Sequence, residues 1–215
     1  MVEMCGVDVC GDGGVVAWDA VILAGGRAER LGADKATLIG KDGRSCLQWV
    51  MDACSGADQV VVVGPDSVAD GAGRVRLTRE VPAFSGPARG ICAGVGALGD
   101  DAGQWVVVVA CDMPNVAEGI RQLLSSMCGV GLDVDGVVGV SEGRRQWLCS
   151  AFRTHSLRMA CERLGTGTGE SIRYLVRDLV VVEVEMAAHV VADIDTQADM
   201  RAMGFCIERR SYVGV

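Results

Sequence analysis

The chain has 215 residues, of which 50% are hydrophobic, and this length allows one α/β domain with a sizeable core. Its formal net charge is −8 and its pI is near 4.8. This acidity argues against binding to nucleic acid or to a membrane surface, because both are polyanionic.

Residues 1–17 form a glycine-rich, acidic leader that lacks the basic start and apolar core of a signal peptide. The sequence contains no run of about eighteen apolar residues, which is the length that would predict a membrane span. We therefore expect a flexible leader over 1–17, a single domain over 18–215 and a cytoplasmic location.

The ten cysteines are scattered without a C-x-x-C pair, so most are interpreted as small buried apolar residues in a reducing compartment. The two histidines offer few metal ligands. His155 is expected near a helix start and His189 in a loop, both as surface or capping residues.

The first predicted element is a short buried strand at 20–23, which runs into the loop sequence AGGRAERLGADK. Gly25 and Gly26 allow a tight turn that leaves backbone N–H groups free for phosphate oxygens. No G-x-x-x-x-G-K-[ST] sequence occurs, so the loop is not a Walker loop.

The same loop supplies three cationic donors, Arg27, Arg30 and Lys35, in a chain whose only other lysine is Lys41. An ammonium group and a planar guanidinium are not interchangeable on a phosphate. The loop therefore predicts binding of a nucleoside triphosphate, with Lys35 near a reacting phosphoryl group. The alternative is a flexible surface loop with solvated charges.

Apolar runs alternate with helical segments from about residue 18 to 203, which predicts a three-layer α/β/α sandwich with a mostly parallel sheet. Further strands are expected at 60–63, 74–78, 105–110, 137–140, 147–152 and 180–185. Helices are expected at 45–54, at 88–98, within 157–179 and after 193–196.

The chain contains one G-x-G-x-x-G match, from Gly94 to Gly99. It lies inside a predicted helix instead of at a strand-to-helix turn, so it does not indicate a dinucleotide-binding loop. We interpret these glycines as positions of close helix packing. Because the chain then has no properly placed dinucleotide-binding loop, the sequence argues against a nicotinamide oxidoreductase.

Asp112 follows the most apolar predicted strand, and ligands of open α/β sheets gather at the carboxyl ends of strands. Magnesium takes one or two protein carboxylates and completes its shell with water and phosphate. Asp112 is therefore a predicted Mg²⁺ ligand. The alternative is that it caps the helix after Pro114.

The sequence DIDTQAD places Asp193 and Asp195 two residues apart, so an extended backbone would point both carboxylates the same way. Thr196 is a natural N-cap, and acidic residues also favour a helix start. Asp195 is thus a candidate second metal residue or part of a helix start.

Four blocks together resemble the molybdenum cofactor guanylyltransferases and their MobA-like nucleotidyltransferase relatives. They are LAGGRAERLGADK, GPARGI at 86–91, VACDMP at 109–114 and DIDTQAD at 193–199, in family order. The resemblance implies a Rossmann-like nucleotidyltransferase that joins GMP from GTP to the terminal phosphate of a molybdopterin-type cofactor and releases pyrophosphate. Molybdoenzyme apoproteins would receive the product.

The resemblance also implies roles for individual residues. Leu23, Ala24 and Gly25 match the nucleotide-binding loop, which Gly26 extends. Lys35 matches the phosphate-binding lysine, and Arg30 the loop arginine. Asp112 matches the magnesium ligand that touches GTP, Glu80 lies near an acidic residue that accepts from guanine N–H groups, and Asp195 falls where relatives carry Asn or Asp before Thr.

Three positions depart from the family pattern. Val63-Gly64 stands where some relatives place an asparagine next to the nucleotide. Arg89 replaces a small residue and is a candidate for an added phosphate contact. Gln146-Trp147-Leu148 stands where relatives often carry Q/H-P-L near the acceptor.

The implied chemistry is in-line attack of an acceptor phosphate oxygen on the α-phosphorus of GTP. Lys35, Arg30 and Asp112-bound magnesium would neutralise the developing charge, and no strong general base is needed because the attacking phosphate is already ionised. Two alternatives stay open: a transferase that uses CTP or another phosphorylated acceptor, and a non-catalytic protein that binds and delivers nucleotide or cofactor.

Overall fold

A computed structural model describes residues 16–25, 31, 34–71 and 75–207. Its strands are β1 (Trp18–Leu23), β2 (Ile39–Gly40), β3 (Val60–Val63), β4 (Arg76–Thr78), β5 (Trp105–Ala110), β6 (Gly136–Ser141), β7 (Arg144–Arg153), β8 (Val181–Glu185) and β9 (Phe205–Cys206). Its α-helices are α1 (Cys46–Ala53), α2 (Pro87–Leu98), α3 (Val116–Met127), α4 (Thr154–Leu164), α5 (Ile172–Leu175) and α6 (Gln197–Ala202). None of the helices in these ranges combines the length and apolarity needed to cross a bilayer.

The centre of the molecule is a seven-stranded sheet in the order β4-β3-β1-β5-β7-β6-β8. The four strands β4, β3, β1 and β5 are mutually parallel, and β6 is parallel to β8. Only β7 runs antiparallel to its neighbours β5 and β6. The predicted mostly parallel sheet is therefore confirmed.

Helices cover both faces of this sheet, which confirms the three-layer α/β/α prediction. One core joins α1 and α3 to one face, through residues such as Leu47, Val107 and Ile120. The second core joins α2, α4 and α5 to the other face, through residues such as Val108 and Ile91. Strands buried on both faces read as continuous apolar runs, as β5 does.

The predicted elements are present with small shifts of their ends. The strand expected at 74–78 spans Arg76–Thr78, with Arg74 outside the described residues. The strands expected at 137–140 and 147–152 are β6 and β7, which form a hairpin around Glu142 and Gly143. The expected leader lies almost entirely outside the described residues, and the single domain over 18–215 stays a prediction.

The small sheet formed by β2 and β9 was not predicted, since it contains only two residues from each strand. It pairs Ile39 with Cys206 and helps to enclose a third apolar cluster. Leu38 and Ile194 are fully buried in that cluster. The cluster therefore fixes two segments that flank the carboxyl edge of the main sheet.

The interpretation of the cysteines as buried apolar residues holds for half of the described ones, because Cys46, Cys54, Cys111 and Cys149 are buried free thiols. Cys92 and Cys161 are half-buried, Cys206 is exposed, and Cys128 is disulfide-bonded. His155 lies in the first turn of α4 and His189 in an exposed loop, where its imidazole is 3.5 Å from the Glu118 carboxylate. Neither histidine is placed as a ligand in a cluster of metal-binding residues within the described chain.

Of the three glycines that define the G-x-G-x-x-G match, only Gly94 serves helix packing where α2 crosses the sheet, because a Cβ at Gly96 or Gly99 would meet no other atom within 4 Å. A Cβ at Gly94 would lie 2.4 Å from a methyl carbon of Val21 and 3.0 Å from one of Val63. A Cβ at Gly96, on the same helix, would meet no atom within 4 Å. Substitutions at these two positions therefore distinguish the effect of steric crowding from the effect of helix propensity.

Gly94→Ala should lower the free energy of unfolding by about 1–3 kcal/mol, because the methyl group overpacks the contact with β1. The matched control Gly96→Ala should leave it unchanged or raise it by up to about 1 kcal/mol, as alanine favours a helix over glycine. Chemical denaturation of both variants measures the difference. Equal effects in the two variants would contradict the packing interpretation.

Candidate active site

The loop after β1 lies between the ends of β3 and β5. The Ala24 N–H donates to the Val63 carbonyl at 2.8 Å, and the Cys111 N–H donates to the Leu23 carbonyl at 3.0 Å. A Cβ at Gly64 would lie 3.2 Å from the Ala24 carbonyl oxygen. Glycine at position 64 thus allows the close approach of this loop.

Gly25 is exposed at this edge and lines the cavities on both sides of the loop. Gly26, Arg27 and Arg30 lie outside the described residues. The roles predicted for Gly26 and Arg30 therefore stay predictions.

Lys35 begins a single 3-10 turn, Lys35–Thr37, whose N-cap is Asp34. The Asp34 carboxylate accepts from the Ala36 N–H at 3.1 Å, and Ala36 itself is buried. This anchoring fixes the start of the lysine side chain. Lys35 is therefore held on a capped turn and does not sit on a loose surface loop.

The Lys35 ammonium lies between two carboxylates. Its Nζ is 2.8 Å from Oδ2 of Asp112 and also forms an ion pair with Asp195. Partial burial by itself would lower the pKa of Lys35, but the hydrogen bonds to these two carboxylates outweigh it and raise the pKa above its usual value. The lysine is therefore a fixed positive charge.

Asp112 is the second residue after β5 and is half-buried. Its backbone carbonyl accepts from the Ile194 N–H at 3.1 Å, which ties the end of β5 to the DIDT segment. The helix-cap alternative for Asp112 is wrong, because α3 begins at Val116 with Asn115 as its N-cap residue. The Asp112 carboxylate faces Lys35 instead.

The DIDT segment presents both of its aspartates to the same place. Ile194 is fully buried between them, so the alternating side chains of Asp193 and Asp195 project away from the core. Thr196 caps α6 in a reciprocal capping box with Asp199. The helix start is thus made by Thr196 and Asp199, and the Asp195 carboxylate pairs with Lys35.

Asp112, Asp193 and Asp195 form an acidic cluster in which one oxygen from each lies within 4.8 Å of the others. Partial burial and the charges of Asp195 and Asp112 raise the pKa of Asp193. Carboxylate oxygens are the donors that a hard divalent cation prefers. The cluster therefore fits a divalent metal ion, with Lys35 offsetting part of its negative charge.

Two cavities meet at the nucleotide-loop residues Leu23 and Gly25. The first, of about 420 Å³, is lined by the polar side chains of Lys35, Asp112 and Asp193. Its remaining wall includes the three residues 146–148. The segment Gln146-Trp147-Leu148, which the sequence predicts to lie near the acceptor, therefore lines the same cavity as the charged cluster.

The second cavity, of about 480 Å³, is lined by Leu23, Gly25, Val63, Glu80, Phe84, Gly86, Pro87 and Gly90. The Glu80 carboxylate accepts from the Phe84 N–H at 2.9 Å, so one of its oxygens is fixed by the loop. A carboxylate retains further acceptor capacity after one such bond. Glu80 is therefore held at the wall of a cavity that continues from the nucleotide loop.

Phe84 has a backbone φ of 62°, in the left-handed region that residues other than glycine rarely adopt. Its ring is partly exposed, and the Arg79 guanidinium lies 5.3 Å from the ring centroid. Strained residues of this kind concentrate at functional sites. Sequence reasoning missed Phe84, because no local pattern signals a left-handed phenylalanine.

The proposed phosphate contact of Arg89 is wrong. Its guanidinium donates to the Gly165 carbonyl and, at 3.4 Å, to the Val81 carbonyl. Arg89 therefore connects α2 to the end of α4 and to the loop after β4. It lines neither of the two cavities.

The thiols at the base of the site are not nucleophiles. Burial raises the pKa of Cys46 to about 12, and burial together with the Asp112 charge raises that of Cys111. Both cysteines therefore stay protonated.

The structure brings together most of the predicted residues that it describes. Leu23, Ala24, Gly25, Lys35, Asp112 and Asp195 share one edge of the sheet, with Glu80 in the adjoining cavity. Asp34 was missed, although an aspartate before K-A-T is a readable N-cap signal. Asp193 was noted in sequence only as the partner of Asp195, and it joins the cluster directly.

A lysine beside an acidic cluster, at the carboxyl edge of a parallel sheet and next to a glycine loop, defines a nucleotidyltransferase type of site. The model of the MobA-like NTP transferase domain matches residues 20–196. The chain belongs to this family, as its four sequence blocks predicted.

Individual relatives agree with the family. A probable molybdenum cofactor guanylyltransferase of Mycobacterium avium is 26% identical over 187 residues, which cover 85% of this chain and 93% of the relative. The crystal structure of molybdopterin-guanine dinucleotide biosynthesis protein A from Archaeoglobus fulgidus superposes with a TM-score of 0.63 at 18% identity, over 86% of this chain and 96% of that one.

A cytidylyltransferase also shares this fold. The structure of 2-C-methyl-D-erythritol 4-phosphate cytidylyltransferase from Thermus thermophilus superposes with a TM-score of 0.60 at 18% identity, over 86% of this chain and 96% of that one. The likeness to these solved structures concerns the fold alone. The choice of base and acceptor has to be argued from the site.

Proposed function

We propose that this protein is a molybdenum cofactor guanylyltransferase. It transfers GMP from GTP to the terminal phosphate of a molybdopterin-type cofactor and releases pyrophosphate. The observation that carries the proposal is Lys35 held between Asp112 and Asp195 at the mouth of the nucleotide loop. Its family membership and the guanylyltransferase names of its relatives support the same activity.

The two adjoining cavities suit the two parts of a nucleotide. The cavity beside Glu80 would hold the guanine base, whose N–H donors need an acceptor of that kind. Leu23, Ala24, Gly25 and Gly26 would carry the ribose and phosphates into the second cavity, where Lys35 and Asp112 line the wall. Gln146 and Trp147 on the far wall would face the acceptor.

In the proposed reaction an acceptor phosphate oxygen attacks the α-phosphorus of GTP, a new P–O–P linkage forms, and pyrophosphate leaves with the broken bond's electron pair. Lys35 exchanges its carboxylate partners for phosphate oxygens and neutralises the charge that gathers there. Arg30 adds a second positive charge. Neither histidine lines the two cavities, and an ionised phosphate nucleophile requires no base.

Mg²⁺ is the cation we propose for the acidic cluster, held by Asp112 with Asp195 and Asp193. When bound, it would polarise the phosphoryl oxygens of the triphosphate. The protein's part is to place the carboxylates on two segments that the Asp112 to Ile194 hydrogen bond joins. A cytoplasmic location remains a prediction from the sequence of the leader, and delivery of the product to molybdoenzyme apoproteins remains a prediction from the family resemblance.

A second candidate is a related transferase that uses CTP, since a cytidylyltransferase shares the fold. A pure binding and delivery protein is less well supported, because it would not need both the Lys35 ammonium and the Asp112 carboxylate at one point. The nucleotide that the protein binds, GTP or CTP, distinguishes the first two candidates most directly.

GTP with magnesium should raise the melting temperature more than CTP, ATP or UTP, because a ligand that binds only the folded state stabilises it by RT ln(1 + [L]/Kd). Glu80→Gln should shrink the GTP shift while leaving the melting temperature of the free protein nearly unchanged. Differential scanning fluorimetry with all four nucleotides measures both. An equal or larger shift with CTP would overturn the guanylyl assignment and favour the cytidylyl alternative.

A further inference from the structure

Helices α2 and α4 pack side by side on one face of the sheet, and an arginine joins them at each end. Arg89, in the first turn of α2, donates to the carbonyl of Gly165 at the end of α4. Arg158 of α4 donates to the carbonyl of Gly99 at the end of α2. These two contacts show that the helices run antiparallel, and they fix the register between them.

This register brings two cysteines together. Cys92 lies one turn after Arg89 on α2, and Cys161 lies one turn before Gly165 on α4. Both are half-buried free thiols, and the Cys161 thiol donates a hydrogen bond to the sulfur of Cys92. Neither cysteine lines the two cavities of the candidate active site. The helix interface therefore holds a pair of thiols that the proposed reaction does not use.

The surroundings make the two thiols chemically unequal. The hydrogen bond from Cys161, aided by the charge of Arg89, lowers the pKa of Cys92 in spite of its partial burial. The same hydrogen bond and burial raise the pKa of Cys161. The guanidinium of Arg89 donates to two neutral carbonyls, and its buried Nε has no hydrogen-bond partner among the residues that the structure describes. Its charge therefore favours a thiolate at Cys92.

The outer side of α2 leaves room for a small molecule near Cys92. Gly96 follows Cys92 by one turn and is exposed, and a Cβ there would meet no atom of the described chain within 4 Å. Cys92 is itself partly exposed. A partly exposed thiolate beside a second thiol is the arrangement that thiol–disulfide exchange uses, because one cysteine attacks and the other resolves the mixed disulfide.

We propose that Cys92 and Cys161 form a thiol-exchange site, at which Cys92, beside Arg89, attacks small disulfides of the glutathione class and Cys161 then closes a disulfide bond between α2 and α4. The bond would join the two helices when such disulfides accumulate and open again when small thiols dominate. This proposal does not rest on the proposed transferase function, because its tests measure bonding at the two sulfurs.

The exchange takes place in two steps. The Cys92 thiolate attacks one sulfur of the small disulfide, forms a mixed disulfide and expels a thiolate, which takes up the proton that Cys92 has lost. This step removes the Cys92 charge that helps to raise the pKa of Cys161. Cys161 then loses its proton and attacks the Cys92 sulfur, and the second half of the reagent leaves as a thiol with that proton. Two electrons pass from the protein to the small disulfide, which becomes two thiols.

Glutathione disulfide is the probe for the full folded chain. After alkylation without reduction, trypsin should release Cys92 in the peptide 90–121 and Cys161 in the peptide 159–163. Mass spectrometry of the monomer should find these peptides joined, with fragmentation assigning the bond to Cys92 and not to Cys111 in the same peptide. The exposed Cys206 provides the matched control, because Cys206→Ser should leave the link unchanged. Absence of the link from treated, folded monomer would overturn the proposal.

Single substitutions test the order of the two steps. Cys161→Ser keeps a hydrogen-bond donor beside Cys92 but cannot resolve the mixed disulfide, so one glutathione should stay on Cys92. Cys92→Ser should show no comparable adduct on Cys161, because burial keeps that thiol protonated. An adduct on Cys161 of Cys92→Ser that forms as fast as the one on Cys92 of Cys161→Ser would overturn the assigned roles. Adducts confined to Cys206 in both variants would overturn the site.

Arg89 and Arg158 form a matched pair, because each donates from one helix to a carbonyl at the end of the other. In the Cys161→Ser background, Arg89→Gln should slow formation of the mixed disulfide at neutral pH by about tenfold, since the thiolate loses its neighbouring charge. Arg158→Gln should change the rate by less than about twofold. Melting temperatures of both variants report the loss of the helix contact. Equal slowing in the two variants would contradict the role of Arg89 at the site.

Discussion

Asp112→Asn should reduce magnesium-dependent release of pyrophosphate from GTP by on the order of a thousandfold. The amide is close in shape to the carboxylate and leaves the backbone bond from Ile194 to Asp112 in place, but it removes a formal charge from the cluster with Asp193 and Asp195. The fold should therefore persist while the metal affinity and the rate fall. Steady-state rates measured across a magnesium titration test this.

Asp100→Asn is the matched control, because Asp100 is an exposed aspartate in the turn before β5. Its rate and magnesium dependence should equal those of the wild type. Near-normal turnover of Asp112→Asn at modest magnesium would show that the carboxylate is not a metal ligand in the reaction. The ion pair with Lys35 would then be a structural contact only.

Lys35→Arg should lower kcat by on the order of a hundredfold or more while GTP binding falls far less. The substitution keeps the charge but replaces a compact ammonium with a larger planar fork. In the structure the ammonium fits between Asp112 and Asp195 at the end of a capped turn, a position that sets its direction. A guanidinium there would aim its donors differently at a phosphate that moves during transfer.

Lys41→Arg is the matched control, since Lys41 is the only other lysine and is exposed. It should have a wild-type kcat and melting temperature. Single-turnover rates and GTP affinities of the two variants separate chemistry from binding. A Lys35→Arg enzyme with kcat within a few-fold of the wild type and an unchanged melting temperature would remove Lys35 from the catalytic machinery.

The two substitutions also distinguish between roles inside one cluster. Loss of the Asp112 charge should be partly compensated by a high magnesium concentration, because it weakens binding of the cation. The loss of kcat in Lys35→Arg should not be compensated by magnesium, because Lys35 acts on phosphate and not on the cation. A shared response to magnesium would indicate that Lys35 serves only to hold the carboxylates in place.

Local patterns were sufficient for most of the site because its residues lie at strand ends. The apolar run of β5 predicts a buried strand, and the residue that follows such a strand lies at the carboxyl edge wherever the strand sits in the sheet. Asp112 and the loop after β1 could therefore be assigned to one edge from sequence. Thr196 was readable as a cap for the same reason, since a cap depends on residues only three positions apart.

Contacts between distant segments were not readable in this way. Arg89 looked like a phosphate ligand because of its place in the GPARGI loop, but two backbone carbonyls from other segments hold its guanidinium. The left-handed backbone of Phe84 and its bond to Glu80 likewise depend on how a whole loop closes. A long side chain can adopt many rotamers, and only its surroundings select one.

The sequence by itself determined the mostly parallel sheet, the glycine loop and the chemical types gathered at its edge, because apolar periodicity and strand-end position are local properties of the chain. Only the tertiary structure decided that Lys35 bridges Asp112 and Asp195, residues 77 and 160 positions away. That choice depends on the buried Ile194 and its bond to the end of β5. Such packing between segments far apart in sequence fixes the direction of a charge, which residue type and spacing leave open.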